Sequence, residues 1–194
     1  MSEKIVRCAW ATSALAIPYH DEEWGVPSHD DRHLFEMLVL EGAQAGLSWE
    51  TILRKREGYR RRYKNFDPAV VARFGARQIE AMMEDAGLVR NRSKIESSVR
   101  NARSFLDLAR EHGTFARWLW GFVGGSPVVT RRARGEKLPA STELAERISK
   151  ELRARGFRFV GPTIVYSYLQ AVGVVDDHSA ECFRARAGGA KRNA

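Results

Sequence analysis

Apolar residues recur three and four positions apart along most of the chain, a spacing that predicts helices almost throughout. Behind Asp30 and Asp31, either of which can cap a helix, Leu34, Phe35, Leu38 and Val39 share one face of a helix reaching about Gly46. A second helix runs through SWETILRKREGYRRRYKNF, with Ile52, Leu53, Tyr59 and Tyr63 inward and its Arg and Lys side chains in water. Asp67-Pro68 starts a third, since Asp caps and Pro suits the first turn. ARQIEAMMEDA fits a helix that Gly87 ends, and Ile95, Val99, Ala102, Phe105 and Leu106 mark the next. Thr114 caps FARWLWGFV, and the basic stretch GGSPVVTRRARGEKLPAS, with its Gly and Pro, reads as a loop. Ser141 or Thr142 opens a helix that Gly156 ends, and Gly161-Pro162 opens a buried one, TIVYSYLQAV, closed by Gly173. No alternating strand pattern and no internal repeat is evident, so the expected class is all-α.

Length and charge narrow the picture. At 194 residues, 44% of them hydrophobic, the chain can form one domain or two small lobes sharing a core. We expect one helical domain over residues 1–182 and a basic, disordered tail over 183–194. The net charge of +8 favours a nucleic acid, an anionic membrane or an acidic protein as partner. No run is long enough to span a bilayer, and MSEKIVRCAW lacks the apolar core of a secretory signal, so the expectation is a cytoplasmic protein without a membrane partner.

Three constellations carry candidate chemistry. Glu41 lies in the apolar run MLVLEGAQAGLSW, and a buried acid needs a partner, either structural or from a ligand. Gln44 lies one turn on, and Tyr19, Trp24 and Trp49 are close in sequence. Flat rings beside one acid suit a flat, electron-poor ring, such as a nucleobase drawn out of a nucleic acid. Trp10, Trp118 and Trp120 have no acid nearby and read mainly as packing.

The unit EDAGLVRNRSKI joins two helices through a short turn. A left-handed Gly87 would end the first helix, and free N–H groups at the start of the second would form an anion site amid Arg90, Arg92 and Lys94. An ordinary helical corner with solvated charges is the alternative. Cys8 and His20 near one end, and His178 and Cys182 four apart near the other, make a full tetrahedral set for structural zinc; four unrelated residues remain the alternative. His29 and His33, also four apart, read more simply as a solvated helix face.

Taken together, RCAW, YHDEEWGVP, LFEMLVLEGAQAGLSWETILRKRE, EDAGLVRNRSKI, RGFRFVGPTIVYSYLQAVG and VDDH resemble the 3-methyladenine DNA glycosylase I family. The strings spread over residues 7 to 178. The resemblance implies a two-lobed, all-helical fold of the helix-hairpin-helix glycosylase superfamily, with the base pocket between the lobes. It implies structural zinc on Cys8, His20, His178 and Cys182. The base-contacting glutamate falls on Glu41, the pocket aromatics on Tyr19 and Trp49 with Trp24 nearby, the hairpin on Gly87 through Lys94, and the gap-filling loop near Gly46 and Leu47. Asn91 and Ser93 depart from the family pattern, which has a basic residue and a glycine there.

The implied activity is monofunctional hydrolysis of the glycosidic bond of 3-methyladenine in alkylated double-stranded DNA, by a monomer, leaving an abasic site. Glu41 would recognise the base amine and could assist the chemistry, and no aspartate matches a base for the attacking water. A non-catalytic, DNA-damage-binding helical module is the competing reading.

Overall fold

Helices dominate the computed structural model, which describes residues 5–133 and 136–185. In chain order they are α1 (Ala16–Glu22), α2 (Asp31–Gln44), α3 (Trp49–Arg62), α4 (Pro68–Val71), α5 (Ala76–Glu84), α6 (Arg92–His112), α7 (Phe115–Gly121), α8 (Glu143–Ala154) and α9 (Pro162–Ala171). Caps explain most of the starts. Asp30, Ser48, Asp67, Asn91, Thr114 and Thr142 each accept a hydrogen bond from a backbone N–H of the following first turn. Asp31 serves a different helix: its two carboxylate oxygens accept from Phe115 and Ala116, tying the start of α2 to the start of α7.

Helix α2 is the axis of the molecule. Every residue from Leu34 to Ala43 is buried, because α3, α6, α7 and α9 cover it on all sides. A helix surrounded in this way needs no polar face, so Glu36 and Glu41 on it are set against burial. Two short parallel strands, β1 (Val128–Val129) and β2 (Val175–Asp176), pair Val128 with Val175 and Val129 with Asp176. They add one small strand pair, where the sequence showed no alternation, to a fold that is otherwise helical as expected. Two residues per strand leave no alternation to read.

The charged positions of α3 also differ from expectation. Ile52, Tyr59 and Tyr63 point inward as their spacing requires, but Arg56 does too, at 9% exposure. Its guanidinium donates to both carboxylate oxygens of Glu23 (2.7 and 2.8 Å) and to Glu36 (2.7 Å). Arg60 adds a second contact to Glu36 at 3.0 Å. Burial alone would push the Glu36 carboxyl up; hydrogen bonds from His33 and Arg56, with the Arg56 and Arg60 charges, hold it down at about 2.

Arg56→Met should therefore cost about 3–5 kcal/mol at pH 7, since it leaves a buried carboxylate without its main partner. Glu36 titrates near 4.5 when unfolded and lower when folded, so its contribution is present above 4.5 and fades as pH falls through about 2. The difference between wild type and variant, measured by urea unfolding, should shrink below pH 4.5.

At the C-terminal end the folded body runs past residue 182. The Phe183 N–H donates to the Val6 carbonyl, and Ala185 is buried. The remainder of the expected tail, 186–194, lies outside the described residues.

Candidate active site

One cavity of about 270 Å³ is lined by Trp10, Tyr19, Trp24, Glu41, Gln44, Trp49, Leu138, Ser167 and Gln170. It gathers Glu41 with all four residues expected around the base, although they come from α1, the turn after it, α2 and α3. Glu41 and Gln44 are one turn apart on α2 and so share a face. The rings close around them at angles: Tyr19 and Trp49 have centroids 5.3 Å apart at 49°, and Trp10 and Trp24 meet edge to face at 5.2 Å.

Three polar groups of this cavity lack protein partners. Burial pushes the Glu41 carboxyl up to about 8, and no described residue donates to it. The Tyr19 hydroxyl and the Trp49 indole N–H are buried without a hydrogen bond. Burial, followed by the nearby Glu41 charge, holds the Tyr19 hydroxyl well above its ordinary value. Unpaired buried groups cost free energy, and three around one cavity mark a place where a ligand completes the hydrogen bonding.

Four lining residues, Trp10, Leu138, Ser167 and Gln170, were not among the expected ones. Trp10 is a cavity wall, not packing, because Cys8 fastens its segment beside His20. Ser167 and Gln170 stand one turn apart on buried α9. Two polar residues at that spacing in an apolar helix were the available signal.

Beside the cavity, Cys8, His20 and Cys182 are all buried and bring one ligand atom each to within 4.8 Å of one another. His178 lies beside this group of three, its ring centroid 5.3 Å from that of His20. Each histidine uses Nδ1 on a carboxylate, His20 on Asp21 and His178 on Asp176, both at 2.8 Å. Nε2 is thereby left facing away from the carboxylate, and that of His178 is buried without a partner. Gly25 permits this packing: a Cβ there would lie 2.5 Å from the His178 ring. Trp24 lies 4.6 Å from His178 and so joins this cluster to the cavity. His29 and His33 form no such site, for His29 precedes α2 and stacks on Trp120 at 4.5 Å.

The turn from Asp85 to Asn91 joins α5 to α6. Gly87 is not left-handed, and α5 ends earlier, at Glu84, with Asp85 extended behind it. The close crossing requires a glycine at position 58 of α3, where a Cβ would lie 2.4 Å from the Gly87 carbonyl oxygen; a Cβ on Gly87 itself would meet the Asp85 carboxylate at 2.9 Å. Lys55 donates to the Ala86 carbonyl and Val89 to the Tyr59 hydroxyl, so α3 holds the turn. Asn91, one of the departures from the family pattern, is the cap of α6.

Of the expected phosphate-facing charges, Arg90 is exposed and Arg92 pairs with Glu80 at 2.8 Å. Lys94 turns inward instead, its ammonium donating to the carbonyls of Ala43 (2.9 Å) and Ala45 (2.5 Å). Burial lowers its pKa. These carbonyls end α2 just before Gly46, at φ +77°, and Leu47, which is 41% exposed. Lys94 therefore clamps the Gly46–Leu47 turn. Arg90→Ala should reduce the slope of log K against log salt for DNA binding by about one. Lys94→Met should leave that slope unchanged while slowing any reaction in the cavity about tenfold, an order-of-magnitude loss expected for slight misplacement near a site. Salt titrations of the two variants against one DNA duplex decide the point.

The Methyladenine glycosylase family model matches residues 10–185. DNA-3-methyladenine glycosylase 1 of Escherichia coli (strain K12) is 46% identical over 177 residues, covering 91% of this chain and 95% of that protein. The DNA-3-methyladenine glycosylase of Haemophilus influenzae is 42% identical over 177 residues, covering 91% and 96%. Among solved structures, a variant of 3-methyladenine DNA glycosylase I in complex with 3-methyladenine superposes with a TM-score of 0.88 at 35% identity, covering 91% of this chain and 96% of that one.

Proposed function

Because the chain belongs to the methyladenine glycosylase family, we propose that its aromatic cavity receives the alkylated base and that Glu41 recognises it. The reaction is hydrolysis of the N-glycosyl bond of 3-methyladenine in alkylated DNA, the first step of base-excision repair.

Selection follows from the state of Glu41. An adenine methylated at N3 is a cation while attached to the sugar, and an ordinary adenine is neutral. Ionising a carboxyl with a pKa near 8 costs about 1.4 kcal/mol at pH 7. A cation lying against Glu41 in a dry cavity offsets that cost; a neutral base does not. The facing rings add cation–π attraction of about 0.5–2 kcal/mol. The charge on the lesion already weakens the glycosidic bond, so exposure and selection of the base matter more than strong acid catalysis. Lifting the nucleotide out of the stack costs a few kcal/mol, less for a damaged base. The single observation that carries this reading is a buried carboxyl without a protein partner in a cavity walled by aromatic rings.

In the same reading Cys8, His20, His178 and Cys182 hold a structural zinc ion that closes the chain's two ends together. The donor set supports it: two thiols, two imidazoles oriented by carboxylates, and one imidazole nitrogen buried without a partner. The turn at 85–91, with α5 and α6, acts as a helix-hairpin-helix contact for the phosphates of double-stranded DNA, and Leu47 fills the gap left by the extruded base. In the same reading the protein acts as a monomer in the cytoplasm.

Incubating the purified protein with methylated duplex DNA tests the function. Release of free 3-methyladenine with abasic sites in equal number is the expected result. Binding to methylated DNA without release would leave only a damage-binding module.

A further inference from the structure

Gln170 is buried at 6% exposure on α9, and its side chain lines the same cavity as Glu41. Its amide is held by one strong contact: Nε2 donates to the Asp177 carboxylate at 2.6 Å. Asp177 is buried too, and it also accepts from the hydroxyls of Tyr166 and Thr130. A carboxylate that already receives two hydroxyl donors can only accept from Gln170 as well, so it dictates which end of the amide faces it. The opposite end, Oε1, receives no hydrogen bond from a described residue, and it is not sealed from the cavity. Nothing in the base-recognition scheme above uses Gln170 or Asp177.

We propose that Gln170 is a specificity-determining residue, and that Asp177 is the positioning residue that turns its acceptor oxygen toward the base. This rests on the glycosylase reading. A purine read at its six-position presents an amine, a donor, if it is adenine, and a carbonyl, an acceptor, if it is guanine. A fixed amide oxygen welcomes the first and opposes the second. Glu41 tells a cation from a neutral base and accepts from an exocyclic amine, but 3-methyladenine and 3-methylguanine are both cationic lesions when attached to DNA and both carry such an amine. Charge alone does not separate them, whereas a fixed acceptor does. Without Asp177 the amide could rotate and offer its NH₂ to a guanine carbonyl.

The test measures release of 3-methyladenine and of 3-methylguanine from the same methylated DNA under single turnover, for the full-length wild type, Gln170→Leu, Gln170→Glu and Asp177→Ala. Zinc content and Tm are followed alongside, because His178 adjoins Asp177. The ratio of the two rates is the readout, since a merely structural defect slows both alike. Gln170→Leu should lower the ratio at least tenfold. Asp177→Ala should lower it at least threefold. Gln170→Glu should keep it within threefold of wild type, because two adjoining buried carboxyls share a proton and the one at position 170 still shows the cavity an acceptor. A wild-type ratio in Gln170→Leu overturns the proposal, as does a wild-type ratio in folded Asp177→Ala. Should Asp177→Ala not fold, Gln170→Leu and Gln170→Glu decide by themselves. Failure of the wild type to release either base is a separate outcome and would sink the glycosylase reading instead.

Discussion

Glu41→Gln should be more stable than the wild type at neutral pH and nearly inactive. The folded protein holds this carboxyl near 8 against an ordinary 4.5, with burial as the cause. Such a group contributes no penalty below pH 4.5. Its cost grows as pH rises from there and is complete once pH passes about 8. At pH 7 the penalty is about 3 kcal/mol at most, as an order-of-magnitude figure. An amide of the same shape has no charge to bury. Melting curves at pH 4.5, 6, 7.5 and 9 should show the two proteins converging at the acid end and separating toward the alkaline one.

Activity should move the other way. A neutral amide cannot supply the anion that a cationic base rewards. Losing a hydrogen bond to a charged group costs about 1.5–3 kcal/mol, which places the fall in excision rate between about 10- and 150-fold. Equal stability of the two proteins across this pH range would mean that Glu41 is paired in solution. Retained excision would remove Glu41 from base recognition. Stability and function oppose each other at this residue because the cavity keeps a carboxyl without a partner so that the base can be one.

Removal of the proposed zinc ion should have the second large effect. A purified preparation should contain one zinc ion per chain, and a strong chelator should lower Tm by about 10–20 °C. This corresponds to a loss of about 5 kcal/mol for a domain of this size. The cluster closes contacts between positions more than 150 residues apart, such as Cys182 with His20 and Ser179 with Cys8. Without the ion, two thiols and two imidazoles are left buried with too few partners. Trp24 touches His178 and also lines the base cavity, so affinity for free 3-methyladenine should fall with the metal. Cys182→Ala should reproduce both effects. Metal-free protein with an unchanged Tm would leave the four residues as an ordinary core cluster.

Some of this molecule could be read directly from residue order. Caps at Asp67, Thr114 and Thr142 work as their positions suggest, because an N-cap bonds to a backbone only two or three residues away. Glu41 and Gln44 share a face by helical period alone. The grouping of Cys8, His20, His178 and Cys182 was visible as a donor set, although four residues so far apart in sequence declare nothing by spacing.

Other features depend on neighbours that sequence position does not reveal. Arg56 and Lys94 have the composition of solvated helix residues, yet both point inward, toward carboxylates and carbonyls brought there by other helices. Gly87 looks like a helix stop and is not one, whereas Gly58, in mid-helix, is a glycine because the Gly87 carbonyl passes against it. Local hydrogen bonds and helical period act over a few residues, so the sequence by itself determined the helices, their caps and the presence of one acid among aromatic rings. Long-range packing assigns each remaining donor to an acceptor. Only the tertiary structure decided that Trp10 walls the cavity, that Lys94 holds the Leu47 turn, and that Asp177 grips one end of the Gln170 amide.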